Sequence, residues 1–212
     1  MTTLFSKLIQ YVLLTTAKYS IDESHGLGHS LNVLHYANRI YESELPTNPQ
    51  LYDQKNVIFI AAALHDMCDK KYMQTDRALV DIRDFLVSEN VETGDEELEA
   101  IERIMQTMSY SAVKLAGFPQ MGDYQHAYHI VRESDLLCAY DFDRSMLYHM
   151  HRRKCSMEDA FLNAEELFRL RVFKHRDDGL LLTDFSMRES FQLERVALER
   201  MLRWRRLLKI SG

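Results

Sequence analysis

The sequence predicts an all-α fold, a single-domain helical bundle, on three observations. Apolar residues recur at helical spacing along nearly the whole chain. No segment shows the strict alternation of a half-buried strand, and only seven glycines and three prolines punctuate 212 residues. That length suits one domain spanning 1–212, and 46% hydrophobic against 27% charged residues supplies a core and argues against disorder.

The elements follow in order. Leu4, Phe5, Leu8, Ile9, Val12 and Leu13 share one side of an opening helix. With no basic n-region and no small-residue cleavage site, this stretch reads as a packed helix and not as a signal peptide. The loop SIDESHGLGHS leads to a second helix over about 30–43. ELPTNPQ breaks it, and Asn48-Pro49 is expected to start a third helix running through VIFIAAAL to His65-Asp66. A fourth covers 75–88. Thr93-Gly94-Asp95-Glu96-Glu97 starts a fifth, ending near Met108, with acidic residues at the positive end of the helix dipole. The stretch SYSAVKLAGFPQMG, 109–122, is expected to be an irregular loop long enough to border a site. Helices over 123–140, 144–153, 156–172 and 186–209 complete the chain, with HRDDG as a turn before the last. There Leu193, Ala197, Met201, Trp204 and Leu208 form a stripe that docks on the bundle or on a second copy, so a homodimer is one expectation.

Composition excludes several classes. A net charge of −6 argues against a nucleic-acid footprint over the whole domain, and the basic ending RWRRLLK complements a helix C-terminus. The cysteines, Cys68, Cys138 and Cys155, are odd in number and form no CxxC pair, which points to a reducing compartment and a cytoplasmic protein. No apolar run approaches the roughly 18–20 residues that span a bilayer, so no membrane is expected. GLG at Gly26–Gly28 lacks the strand and third glycine of a dinucleotide turn, and neither a P-loop nor a GxSxG elbow is present.

The chemistry concentrates at AAALHDMCDKKY, where a greasy helix ends in an imidazole and a carboxylate. A buried carboxylate is costly unless it is paired, hydrogen-bonded or bound to a metal. His29 at the start of the second helix, His65 and Asp66 at the end of the third, and Asp135 in the apolar run HIVRESDLLCAY are candidate ligands. The bland alternative makes His65 a cap and pairs Asp66 with Lys70 or Lys71.

Four ordered motifs favour the metal. HGLGHSLNVLHYA, IAAALHDMCDKKY and IVRESDLLCAYDFDR resemble the conserved blocks of the HD-domain metal-dependent phosphohydrolases. IMQTMSYS is similar to a stretch of their small, nucleotide-hydrolysing single-domain members. The resemblance covers about 20–155, with helices over 156–210 packed on that core. Gly26 stands where the family often has Asp, and Asn32 where it has Arg; neither change touches a ligand.

The resemblance implies a phosphohydrolase in which a metal-activated water attacks a nucleotide or related ester. A monophosphate losing phosphate and a triphosphate losing pyrophosphate both stay open. So does a non-catalytic, metal-dependent nucleotide sensor. It makes His29, His65, Asp66 and Asp135 ligands of one divalent ion, Mn²⁺ or Fe²⁺ first, with Zn²⁺, Co²⁺ or Ni²⁺ as further candidates. Asp69, expected on nearly the same helical face as Asp66, would orient or deprotonate the water. Lys71 and His25 are candidate substrate contacts. A second ion would need more histidines. None lies between Met67 and Gln125, and His126 and His129 sit nine and six residues before Asp135, roughly 180° and 120° around the helix.

Overall fold

The computed structural model describes residues 3–210, and among them every regular element is helical. Ten α-helices form a single-domain all-α fold: α1 Leu4–Tyr19, α2 Leu27–Glu44, α3 Lys55–Leu64, α4 Thr75–Ser88, α5 Asp95–Thr107, α6 Tyr110–Ala116, α7 Gln125–Cys138, α8 Phe142–Arg153, α9 Met157–Leu170 and α10 Asp184–Leu207. No described helix is long and apolar enough to cross a membrane.

The centre of the molecule is α3. All eight residues from Val57 to Leu64 are buried, because α1, α2, α5 and α7 surround the helix on every side. A helix that is apolar all round has no preferred face, and only such an enclosure satisfies it. A second core lies between α8, α9 and α10, where Phe142, Met146, Phe161, Phe168, Ala197 and Met201 meet. Phe142 crosses Phe161 and Phe168 edge-on, with ring centroids 5.5 and 5.2 Å apart. The α10 stripe docks here: Ala197 and Met201 are buried, with Leu193, Trp204 and Leu208 packed around them.

Two expected elements differ. Pro49 opens a separate 3-10 turn, Pro49–Tyr52, and α3 begins only at Lys55. The buried Gln54 side chain donates to the Asp123 carbonyl at 2.9 Å, which anchors the break between them. The expected loop over 109–122 contains α6. Ser109 caps it, its Oγ accepting from Ala112 N at 3.2 Å, and Gly117 ends it at φ +75°, a conformation that favours glycine.

Candidate metal centre

The first turn of α2 carries His29, the end of α3 delivers His65 and Asp66, and α7 carries Asp135. Neighbouring residues of a regular helix diverge by about 100°. His65 and Asp66 instead lie just past the last residue of α3, in a turn tightened by Met67 N donating to Leu64 O at 2.8 Å. Both side chains can therefore address one point.

Their donor atoms do converge. His29 Nε2 lies 3.1 Å from His65 Nε2 and 3.3 Å from both Asp66 Oδ2 and Asp135 Oδ1. His65 Nε2 is 3.2 Å from Asp66 Oδ2 and 3.8 Å from Asp135 Oδ1. Donors about 2.1 Å from a shared ion stand about 3.0–3.4 Å from one another. The His29, His65 and Asp66 atoms fit that spacing, whereas Asp135 fits it toward His29 alone and stands outside the group whose atoms all lie within 4.8 Å of one another. Two further features fit as well. His65 Nδ1 donates to the Ala62 carbonyl at 2.9 Å, which fixes the ring and turns Nε2 to the centre. Asp66 Oδ2 is buried and makes no directed hydrogen bond, despite the two imidazoles beside it.

Electrostatics lead the same way. Burial pushes the His65 pKa down, but the Asp66 and Asp135 carboxylates outweigh it and hold the group at about 9. Burial likewise pushes both carboxylates up. The His65 imidazole beside Asp66, and His29 and His65 beside Asp135, pull them below the usual range. A positive charge belongs among these four side chains, and a divalent cation can take the place of the proton.

Arg144 of α8 complicates one candidate ligand. Its guanidinium donates to His29 Nδ1 and, at 2.9 Å, to the Ser24 carbonyl. A guanidinium only donates, so His29 Nδ1 accepts and the ring proton sits on Nε2. An ion at Nε2 requires that proton to move to Nδ1, which turns Arg144 away from the ring.

Asp69 reaches the centre by a different route from the expected helical face. The helix has already ended, and a turn with Asp69 N donating to Asp66 O at 3.3 Å brings the carboxylate round. Its oxygen then groups with donor atoms of His25 and Asp66. Lys71 pairs with it, Nζ lying 3.2 Å from Asp69 Oδ2, and Lys71 N donates to Oδ1 at 2.9 Å. His25 Nδ1 is tied to Ser24 Oγ at 2.8 Å and Tyr72 Oη at 3.2 Å. Burial lowers its pKa, and Lys71 and Arg144 add to the effect against the pull of Asp66. Neither His126 nor His129 joins either donor group: His126 lines a separate groove, and His129 bonds the Gln125 side chain and packs on Phe118.

The donors open onto a cavity of about 420 Å³. Its far wall comes from residues the sequence reading did not single out: Tyr110 of α6, Arg144, Ser145, Tyr148 and His149 of α8, and Arg171 just past α9. The 144, 145, 148, 149 spacing marks one face of α8 and was a usable signal. A larger groove of about 860 Å³ over Asp53, Glu96 and Asp123 holds no converged donor group among the described residues.

Glu133 was also missed. Wholly buried two residues before Asp135, it accepts from Leu182 N at 2.9 Å, Thr183 N at 3.1 Å, Thr183 Oγ1 at 2.8 Å and Arg132 Nη2 at 3.2 Å. It clamps the segment before α10 onto the helix that carries Asp135.

No protein family model and no curated protein matches this chain. Among solved structures it is similar to the crystal structure of a Lactobacillus plantarum protein from a structural genomics programme. That chain shares 20% identity over the full length of both chains, with a TM-score of 0.68. At that identity the likeness establishes the all-helical fold and nothing further.

Proposed function

We propose that this protein is a metal-dependent phosphohydrolase of the HD-domain type, acting on a nucleotide or related phosphate ester. One divalent ion, Mn²⁺ or Fe²⁺, would be held by His29, His65, Asp66 and Asp135. The observation that supports this most is the convergence of three donor atoms, on His29, His65 and Asp66, 3.1–3.3 Å apart, with Asp135 Oδ1 3.3 Å from His29 Nε2, beside a cavity also lined by Arg144 and Arg171. A mixed set of imidazoles and carboxylates suits these metals. When bound, such an ion lowers the pKa of a water and neutralises charge on the phosphoryl oxygens.

The side chains supply the rest. Asp69 orients the attacking water and accepts its proton. Lys71 steadies Asp69 and offers its ammonium to a phosphoryl oxygen, and His25, held by Ser24 and Tyr72, borders the same space.

The test is metal content of the purified protein beside Asp66→Ala, with release of phosphate or pyrophosphate from a nucleotide panel with and without Mn²⁺. One ion per chain, lost in the variant, and Mn²⁺-stimulated release are expected. Absence of stimulated release from every phosphorylated compound counts against an enzyme.

A further inference from the structure

The acidic side of the cavity is accounted for by the donor group, whereas its basic side is not. Arg171 lays its guanidinium 4.0 Å over the Tyr110 ring. It has no side-chain hydrogen bond and no ion pair among the described residues. Arg144 has a carbonyl and an imidazole as partners but no carboxylate. The other two cations on the wall are engaged, Lys71 with Asp69 and Arg153 with Asn163.

Arg171 is part-buried, burial pushes its pKa down, and Asp135 is the carboxylate that acts against this without forming an ion pair, so an anionic ligand in the cavity would complete its pairing. The Tyr110 ring takes one face of the Arg171 guanidinium and none of its N–H donors, and such a planar fork suits two oxygens of one phosphoryl group. Charge narrows the class. The cavity is lined by Asp66, Asp69, Asp135 and Asp141 and, against them, by Lys71, Arg144, Arg153 and Arg171. These cancel, so a divalent ion leaves an excess of two positive charges. A phosphate monoester carries about −1.5 to −2 near pH 7, whereas a diester carries only one negative charge.

We infer that Arg171, together with Arg144, forms an anion clamp facing the metal centre. It takes the dianionic phosphoryl group of a phosphate monoester in preference to a diester. The turnover of that ester rests on the phosphohydrolase reading, but the clamp itself is measurable without turnover.

The experiment is calorimetric titration of the full-length chain, Mn²⁺-loaded or EDTA-treated, with inorganic phosphate, methyl phosphate and dimethyl phosphate. The wild type should bind methyl phosphate at least ~10-fold more tightly than dimethyl phosphate. Arg171→Met should weaken phosphate at least ~10-fold and erase most of that preference, with metal content still at one ion per chain. Arg171→Lys, which keeps the charge and loses the fork, should fall between; it carries the test alone if Arg171→Met does not fold. Phosphate affinity within twofold of wild type in the folded variants, or no preference between the esters in the wild type, overturns the clamp. Phosphate binding that depends on Arg171 but not on Mn²⁺ keeps the clamp and removes the metal-assisted reading. One bound ion with a silent Arg171 does the reverse.

Discussion

Replacing Glu133 by Gln tests whether Asp135, the last candidate ligand, is positioned from a distance. The carboxylate takes four donors, two on each oxygen, at 2.8–3.2 Å. An amide nitrogen at Oε1 faces two obligate donors, Arg132 Nη2 and Leu182 N; at Oε2 it faces the Thr183 N–H, while the Thr183 hydroxyl can turn to accept. Each lost bond to a charged acceptor costs about 1.5–3 kcal/mol. Arg132, itself buried, also loses its counter-ion. Removing one member of a buried pair costs about 3–5 kcal/mol, and ~4 kcal/mol is the expected loss. At ~2–4 °C per kcal/mol for a chain of this size, the Tm should fall by ~8–16 °C. Urea and thermal denaturation read the stability, and Mn²⁺ titration of the folded fraction should show weakened binding through Asp135. The double variant Arg132→Met/Glu133→Gln should lose less than the sum of the two singles. A Tm drop below ~3 °C with an unchanged m-value refutes the clamp as a source of stability.

Other outcomes are expected on the same grounds. His175 is wholly buried; burial and the nearby Arg171 and Arg132 hold its pKa at about 3, against the opposing pull of Asp135 and Asp178. The unfolded chain protonates this group near 6.5, so it binds more protons than the native state between those values and stability falls as pH drops. From pH 6.5, where the unfolded group is half protonated, to 4.5 the loss is ~2 kcal/mol; His175→Gln should flatten that part of the stability curve, and an unchanged slope contradicts the assignment. Asp69→Asn should lower kcat by ~10²–10⁴ while metal analysis still finds one ion, and loss of the ion would make Asp69 a ligand. Asp135→Asn should reduce Mn²⁺ affinity with little change in far-UV circular dichroism, and full retention of affinity would remove Asp135 from the centre. Phe168→Ala, in the second core, should cost about 3–5 kcal/mol by chemical denaturation.

Much of this was legible in the sequence because the governing physics is local or strongly patterned. The apolar run before His65 announced a central helix, and the α10 stripe announced a docked face. The candidate donors His65, Asp66 and Asp135 stand out because carboxylates and imidazoles are expensive in apolar runs, whereas His29 is picked out by its place in the order of motifs. What escaped depends on distant neighbours. Nothing near Glu133 reveals that Leu182 and Thr183 aim their amides at it. Arg171 gains meaning only from Tyr110, in a helix whose cap at Ser109 was hidden in an expected loop. Asp69 was expected to share a helical face with Asp66, yet a turn does the work after α3 has ended.

The two cores support different halves of the cavity. Donors on α2, α3 and α7 are braced by the central core, whereas Arg144 and Arg171 stand on α8 and at the end of α9, whose apolar footing is closed by α10. A chain truncated before α10 would keep all four donors and still strand Phe161, Phe168 and Met146 in water. Because α10 also lays Phe185 and Leu193 against the central core, its loss would loosen the footing of the donors on α2 and α7 together with that of the basic wall.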